Sequence, residues 1–321
     1  MALSTKPEKL LKEMLSGSRG ALARLISLAE GGKINTIELL SGAKAEEPAV
    51  VGVTGPPGAG KSTLTDKLVL HLRGGGNKVG VIAIDPSSPF TGGALLGDRL
   101  RMDGHSDDDG VFIRSLGSRG SLGGLSRATG DIIKLMGAFG AGCVLVETVG
   151  VGQSELDIAG VADTVAVVLV PESGDSIQTM KAGIMEIGDV FVVNKSDRAG
   201  AEALAAEIRG TVSIRAGGKN GWEAPVVLTQ ATDGRGVGEL AGVIEKHGVF
   251  LKKSGILDNK RRNRIDKDLT DEINSILGSL AENAVARGEG AEVKSAVLNG
   301  SLAIPEGAKQ IAVLVSKRAN S

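Results

Sequence analysis

Leu22, Leu25, Ile26 and Ala29 fall at i, i+3, i+4 and i+7, one face of a helix, and Gly31-Gly32 ends the run. Leu10, Leu11, Met14 and Leu15 predict a shorter helix before it. The pattern then changes. Val50 to Thr54 is a short apolar run, as are Val79 to Ile84, Cys143 to Val146, Thr164 to Val170, Val190 to Val193 and Val226 to Leu228. Each run is continuous rather than alternating, which predicts strands buried on both faces of a sheet. Helical stretches such as Arg127 to Ala138 and Glu202 to Arg209 lie between them. The alternation predicts an α/β fold with a doubly wound, mostly parallel sheet.

Past residue 250 the texture changes again. Lys252-Lys253 and the stretch from Lys260 to Arg264 are basic. Ile265, Leu269, Ile273, Ile276, Leu280 and Ala284 then recur at spacings of four and three, an amphipathic helix with a narrow apolar seam. Such a seam either docks on its own domain or pairs with another chain. Three regions follow from this reading: an N-terminal helical extension over 1–45, the α/β domain over 46–250, and a C-terminal helical region over 251–321.

Composition narrows the chemistry. Lys+Arg is 37 against 38 for Asp+Glu, a balance that gives no bulk reason to bind nucleic acid or an anionic membrane. Five Phe, one Trp and no Tyr leave no stacking platform for single-stranded nucleic acid. One cysteine, Cys143, excludes an internal disulfide, and three scattered histidines make a poor zinc or nickel site. The N-terminus lacks the apolar segment of a signal peptide, and the longest apolar run, Val165 to Val170, is too short to span a bilayer. The expectation is a soluble, cytoplasmic protein. The 48 glycines need backbone reasons such as tight turns and phosphate loops.

Four constellations carry chemistry. Gly55-Pro56-Pro57-Gly58-Ala59-Gly60-Lys61-Ser62 fits G-x-x-x-x-G-K-[ST], between a predicted strand and a helix beginning at Thr63. Backbone N–H groups of such a loop surround phosphates, Lys61 supplies charge to the β- and γ-phosphates, and the Ser62 hydroxyl ligates Mg2+. Asn194-Lys195-Ser196-Asp197 follows the run Val190 to Val193. An Asp carboxylate accepts from guanine N1–H and N2–H2, a donor pair that adenine lacks. Thr229-Gln230-Ala231 sits where a second base-contacting loop is expected, although Gln230 departs from the small residue usual there. Asp85 and Glu147 end apolar runs, and Asp98 lies in the loop after the first of them. Carboxylates at strand ends suit a hard Mg2+ ion. Finally, loops bearing glycine follow those strands: Asp85 to Gly93, Glu147 to Glu155, and Pro171 to Gln178. Gly150 can lend its N–H to a γ-phosphate, and Gln153 can position a water. The third loop, with Asp175 and Gln178, is a further candidate switch.

Together these motifs resemble the MeaB/ArgK-type P-loop GTPases. The resemblance is carried by Glu147-Thr148-Val149-Gly150-Val151-Gly152-Gln153-Ser154-Glu155, by Ile84 to Pro89 with Gly92-Gly93 and Gly97-Asp98-Arg99, and by the phosphate and Asn194 to Asp197 motifs. It runs from Arg19 to about Glu245. It implies a P-loop NTPase fold of the SIMIBI type with a C-terminal helical arm, GTP/GDP and Mg2+ as ligands, and homodimers formed through C-terminal helices. It also implies a chaperone for an adenosylcobalamin-dependent acyl-CoA mutase, typically methylmalonyl-CoA mutase, that gates cofactor loading and protects or reactivates the mutase. The family pattern places Mg2+ contacts on Ser62, Asp85, Asp98 and Glu147, phosphate contacts on Gly55 to Thr63, and basic switch residues at Arg101 and Lys181. The candidate catalytic set is Lys61, Glu147, Gly150 and Gln153.

Four other readings stand beside this one, the simplest being a pure binding module with no hydrolysis. A nickel-insertion GTPase needs a His/Cys cluster that the composition does not supply. A signal-recognition GTPase needs a Met-rich domain, and the whole chain has six Met. A small-molecule kinase linked to amino-acid transport needs an acceptor pocket and tolerates ATP, against which Asp197 argues.

Overall fold

A computed structural model describes residues 6–43, 46–86, 103–105, 107–118, 127–148, 154–173, 183–214 and 220–319. The chain divides into two compact units, Met1–Asp258 and Asn259–Ser321.

The first unit opens with helices α1 (Pro7–Leu15), α2 (Arg19–Glu30) and α3 (Thr36–Leu40). Ser18 caps α2 by accepting from Ala21 N at 3.2 Å, which satisfies one of the donors a helix start leaves open. Strand β1 (Ala49–Thr54) leads to α4 (Lys61–Gly74), β2 (Lys78–Pro86), β3 (Val111–Ser118), α5 (Arg127–Ala138) and β4 (Ala141–Glu147). Then come α6 (Ser154–Asp157), β5 (Thr164–Leu169), α7 (Ile184–Ile187), β6 (Val190–Val193), α8 (Ala201–Ser213), β7 (Val226–Leu228) and α9 (Val237–Lys253).

Among the described residues seven strands form one sheet in the order β3-β2-β4-β1-β5-β6-β7, and every pairing between them is parallel. Alternation along each strand sorts its side chains into two cores. Val50, Val144, Val165, Val167, Phe191 and Val193 face a core shared with α1, α2, α5 and α8. Val51, Val53, Leu145, Ala166, Val168, Val190 and Val192 face the other, shared with Leu64 and Leu68 of α4 and Val237 and Leu240 of α9. The continuous apolar runs are thus explained by helices on both faces. The N-terminal helices belong to the first core: Leu22, Leu25 and Ile26 have no exposed surface.

Strand β3 is absent from the sequence reading. Among the described residues it is an edge strand paired only with β2, so it needs no continuous apolar run. After Val111-Phe112-Ile113 its run is broken by Arg114 and Ser115, and the Arg114 guanidinium pairs with Glu30 of α2.

The second unit contains most of α10 (Ile256–Val285), with α11 (Glu289–Leu298) and α12 (Ile304–Ala319). The predicted seam lies on α10. Ile265, Leu269, Ile273, Ile276 and Leu280 remain 41–62% exposed in the single chain, whereas Ala284 is buried.

Candidate functional site

The carboxyl end of β1 runs straight into the phosphate loop. Gly55 has φ 142°, and a Cβ there would lie 2.0 Å from the Val168 carbonyl oxygen of β5. Only glycine fits this approach. Gly60, at φ 83°, is the N-cap of α4, and a Cβ on it would meet the Asn194 amide at 2.5 Å. The N-terminus of α4, with its open N–H groups, therefore faces the mouth of the loop. Lys61 is buried, and its ammonium donates to the carbonyls of Gly55 at 2.7 Å and Pro56 at 2.9 Å. The lysine thus folds back over its own loop, where phosphate oxygens can replace those carbonyls as acceptors. Pro56 and Ala59 are buried, while Pro57, Gly58 and Thr63 are exposed.

Ser62 and Glu147 come together although 85 residues apart. The Ser62 hydroxyl donates to Glu147 Oε1 at 2.6 Å, and both residues are buried. Parallel pairing brings them into reach: Val53 of β1 is in register with Glu147 of β4. Ala83 of β2 is also in register with Glu147, so the backbone of Asp85 lies just beyond it on the neighbouring strand. Two adjacent hard oxygen donors at a helix N-terminus beside a phosphate loop fit a Mg2+ ion held jointly with phosphate. The side chain of Asp85 and the whole of Asp98, Arg101, Gly150, Gln153, Asp175, Gln178 and Lys181 lie outside the described residues.

Asn194 sits at the end of β6 and is 2% exposed. Its Nδ2 donates to the Ala59 carbonyl of the phosphate loop at 2.8 Å. Its Oδ1 accepts from Thr229 Oγ1 and from Ala231 N, each at 3.1 Å. One buried amide therefore joins the phosphate loop to the loop after β7. Lys195 holds a left-handed backbone, φ 55°, and Asp197 is exposed beside it. Its exposure leaves the carboxylate open to a base. Gln230 turns instead to Asp233, its amide donating at 2.6 Å, while Thr229 is fully buried beneath.

Glu155, the last residue of the Glu147 to Glu155 motif, is buried, and its Oε1 has no hydrogen-bond partner among the described residues. Burial raises its carboxyl above the usual carboxylate range, and the nearby Lys61 charge opposes the rise. In the sequence Glu155 stands only as the last position of that motif, with nothing to mark its burial. Thr54, which ends an apolar run, and Thr148, the second residue of that motif, are both buried, and nothing in either threonine signals their contact across 94 residues.

The profile of the family described as methylmalonyl-CoA mutase-associated GTPase MeaB matches residues 22–285. A GTPase of Pyrococcus abyssi is 49% identical over 294 residues, covering 89% of this chain and 90% of its own. The methylmalonic aciduria type A homolog, mitochondrial, of Caenorhabditis elegans is 33% identical over 293 residues, covering 84% and 73%. The crystal structure of an LAO/AO transport system kinase superposes with a TM-score of 0.71 at 25% identity, covering 98% of this chain and 99% of that one. With a phosphate loop feeding a helix N-terminus in an all-parallel sheet, the chain is a P-loop GTPase and belongs to the MeaB family.

Proposed function

We propose that this GTPase works with Mg2+ as a slow nucleotide switch and serves as a chaperone for an adenosylcobalamin-dependent acyl-CoA mutase, with methylmalonyl-CoA mutase the foremost partner. In this role it gates cofactor loading and protects or reactivates the mutase. The observation that carries the switch reading is the Ser62–Glu147 hydrogen bond. It links the start of the phosphate-loop helix to the strand end from which residues 149–153 depart. The mutase reading is supported by the description of the matching family and by the name of the worm relative.

The chemistry follows from placement. Lys61 exchanges its two loop carbonyls for β- and γ-phosphate oxygens. Backbone N–H groups from Gly58 to Thr63 surround the phosphates, and Asp197 reads guanine. Ser62, Asp85, Asp98 and Glu147 would hold Mg2+, which would supply positive charge against the phosphates. Gly150 senses the γ-phosphate and Gln153 orients water. Arg101, Asp175, Gln178 and Lys181 belong to the loops that respond. Phosphoryl transfer depends on positioning and charge rather than a strong base, so a chain whose loops are completed by a partner turns over slowly alone.

The exposed seam of α10 supports a homodimer formed through the C-terminal region 251–321. The same reading keeps 1–45 as a helical extension of the GTPase domain over 46–250. No described helix is long and apolar enough to cross a membrane, and a cytoplasmic setting is part of the proposal. The test is cofactor loading of the mutase in the presence of this chain, with GTP or with a non-hydrolysable analogue. The proposal predicts that loading depends on which nucleotide is present. Loading at one rate with either nucleotide, and without the chain, contradicts it.

A further inference from the structure

Arg198 follows Asp197 directly, so a guanidinium stands one residue from the carboxylate assigned to guanine. The turn that carries both is closed by the Arg198 N–H on the Lys195 carbonyl and by the Ser196 N–H on the Thr229 carbonyl, each at 3.0 Å. The Arg198 side chain donates to Glu172 Oε1. Glu172 lies in the turn Pro171–Ser173 that follows β5. The two turns run side by side: the Pro171 Cβ lies 3.7 Å from where a Cβ on Gly200 would stand. The hydrogen bond to Glu172 first, then the charge of Glu172, and last the charge of Asp197 hold the guanidinium above its ordinary range. Arg198 thus feels two carboxylates and is bonded to one. Both members of the pair are exposed, and surface pairs of this kind add little to stability. The consequence lies at Asp197. A carboxylate that accepts from guanine N1–H and N2–H2 uses both oxygens. A guanidinium is a planar fork of donors that suits the same two oxygens, so a released Arg198 competes with the base.

We infer that Glu172 is a positioning residue for guanine recognition: by engaging Arg198 it keeps the Asp197 carboxylate open to the base. This rests on the reading of Asp197 as the guanine acceptor. Glu172 acts only through Arg198, across 26 residues of sequence. Turns at the ends of β5, β6 and β7 then build one base-recognition edge. A pair that merely joined two surface turns would act on stability and leave nucleotide affinity alone.

The experiment measures GDP affinity, by competition against a fluorescent GDP, and the thermal midpoint. It compares the natural chain, Glu172→Gln, Arg198→Ala, the Glu172→Gln/Arg198→Ala double variant and Asp197→Asn. Glu172→Gln releases Arg198 and should weaken GDP about threefold, the scale of one exposed ion pair, with the midpoint unchanged. Glu172→Ala should do the same, and it serves as the second variant. In the Arg198→Ala background, Glu172→Gln should add less than about 1.5-fold, because no guanidinium remains to capture Asp197. Natural GDP affinity in Glu172→Gln and Glu172→Ala overturns the inference, whether or not the midpoint falls. An equal loss with and without Arg198 also overturns it, while Asp197 keeps its role. Asp197→Asn should move preference from GDP towards XDP. A retained preference for GDP overturns the base reading and the inference with it.

Discussion

Replacing Asn194 with alanine removes three hydrogen bonds at once, to Ala59 O, Thr229 Oγ1 and Ala231 N. The Thr229 hydroxyl can rotate to another acceptor. The Ala59 carbonyl and the Ala231 N–H are backbone groups and cannot. An orphaned buried group costs about 1–3 kcal/mol, and a made bond contributes about 0.5–1.5 kcal/mol net. Asn194 is 2% exposed, so water does not take over. We expect a loss of about 3 kcal/mol, at least a hundredfold in the folding constant. The assay is urea unfolding followed by fluorescence. Trp222 is the only tryptophan and the chain has no tyrosine. It donates to the Asp189 carbonyl and packs on His247 and Phe250, so it reports on the first unit. The midpoint should fall with the slope unchanged. GDP affinity should fall in parallel, because Asn194 sets the phosphate loop against the loop after β7. Asn194→Asp should be nearly as harmful, since its carboxylate faces the Ala59 carbonyl without a donor. A shift below about 0.5 kcal/mol at constant slope would refute the assignment of Asn194 as the junction.

Three further outcomes are expected. Asp197→Asn should move nucleotide preference from GTP towards XTP, since an amide can donate to the C2 carbonyl of xanthine; competition binding with both nucleotides checks this, and a retained GTP preference removes the base-reading role. The Arg73 guanidinium, and after it the Gly110 N–H, hold the Asp108 carboxyl at about 2, below its ordinary 3.8; its stabilisation is therefore complete above pH 4 and lost as pH falls towards 2, and Asp108→Asn should flatten the stability profile across that window alone. Desolvation of the part-buried Cys143 thiol, with Asp163 adding to it, pushes it up to about 12; a thiol reagent at pH 8 should label it slowly in the native chain and at once in denaturant, and rapid native labelling contradicts the raised pKa.

What the sequence made legible was what repeats locally. The spacing of Leu22, Leu25, Ile26 and Ala29 is decided within one helix, and α2 buries all four. The strand runs were readable because parallel strands between two helical layers are apolar on both faces. Strand β3 escaped because an edge strand needs no such run, and because Arg114 serves a partner on α2 rather than the sheet. The phosphate loop and the Asn194 to Asp197 motif could be found because their chemistry is written in consecutive residues. What Asn194 does could not be read, since its partner Ala59 lies 135 residues earlier and only the sheet order brings them together. The same holds for Thr54 with Thr148, and for Asp163, whose carboxylate accepts from Val50 N at 3.0 Å at the opposite end of β1. Gln230 lies in the loop expected to contact the base, and what the sequence could not show is that its amide donates to Asp233 within the same turn.

The most direct measurement is GTP turnover with Mg2+, by the chain alone and with an adenosylcobalamin-dependent methylmalonyl-CoA mutase added, using Lys61→Ala as the blank. Lys61→Ala should lose tight nucleotide binding and turnover, because no other described side chain donates over the phosphate loop from the helix start. Slow turnover alone, raised at least about tenfold by the mutase, is the result expected of a switch whose loops are completed by that partner. Fast turnover that the mutase leaves unchanged would contradict it.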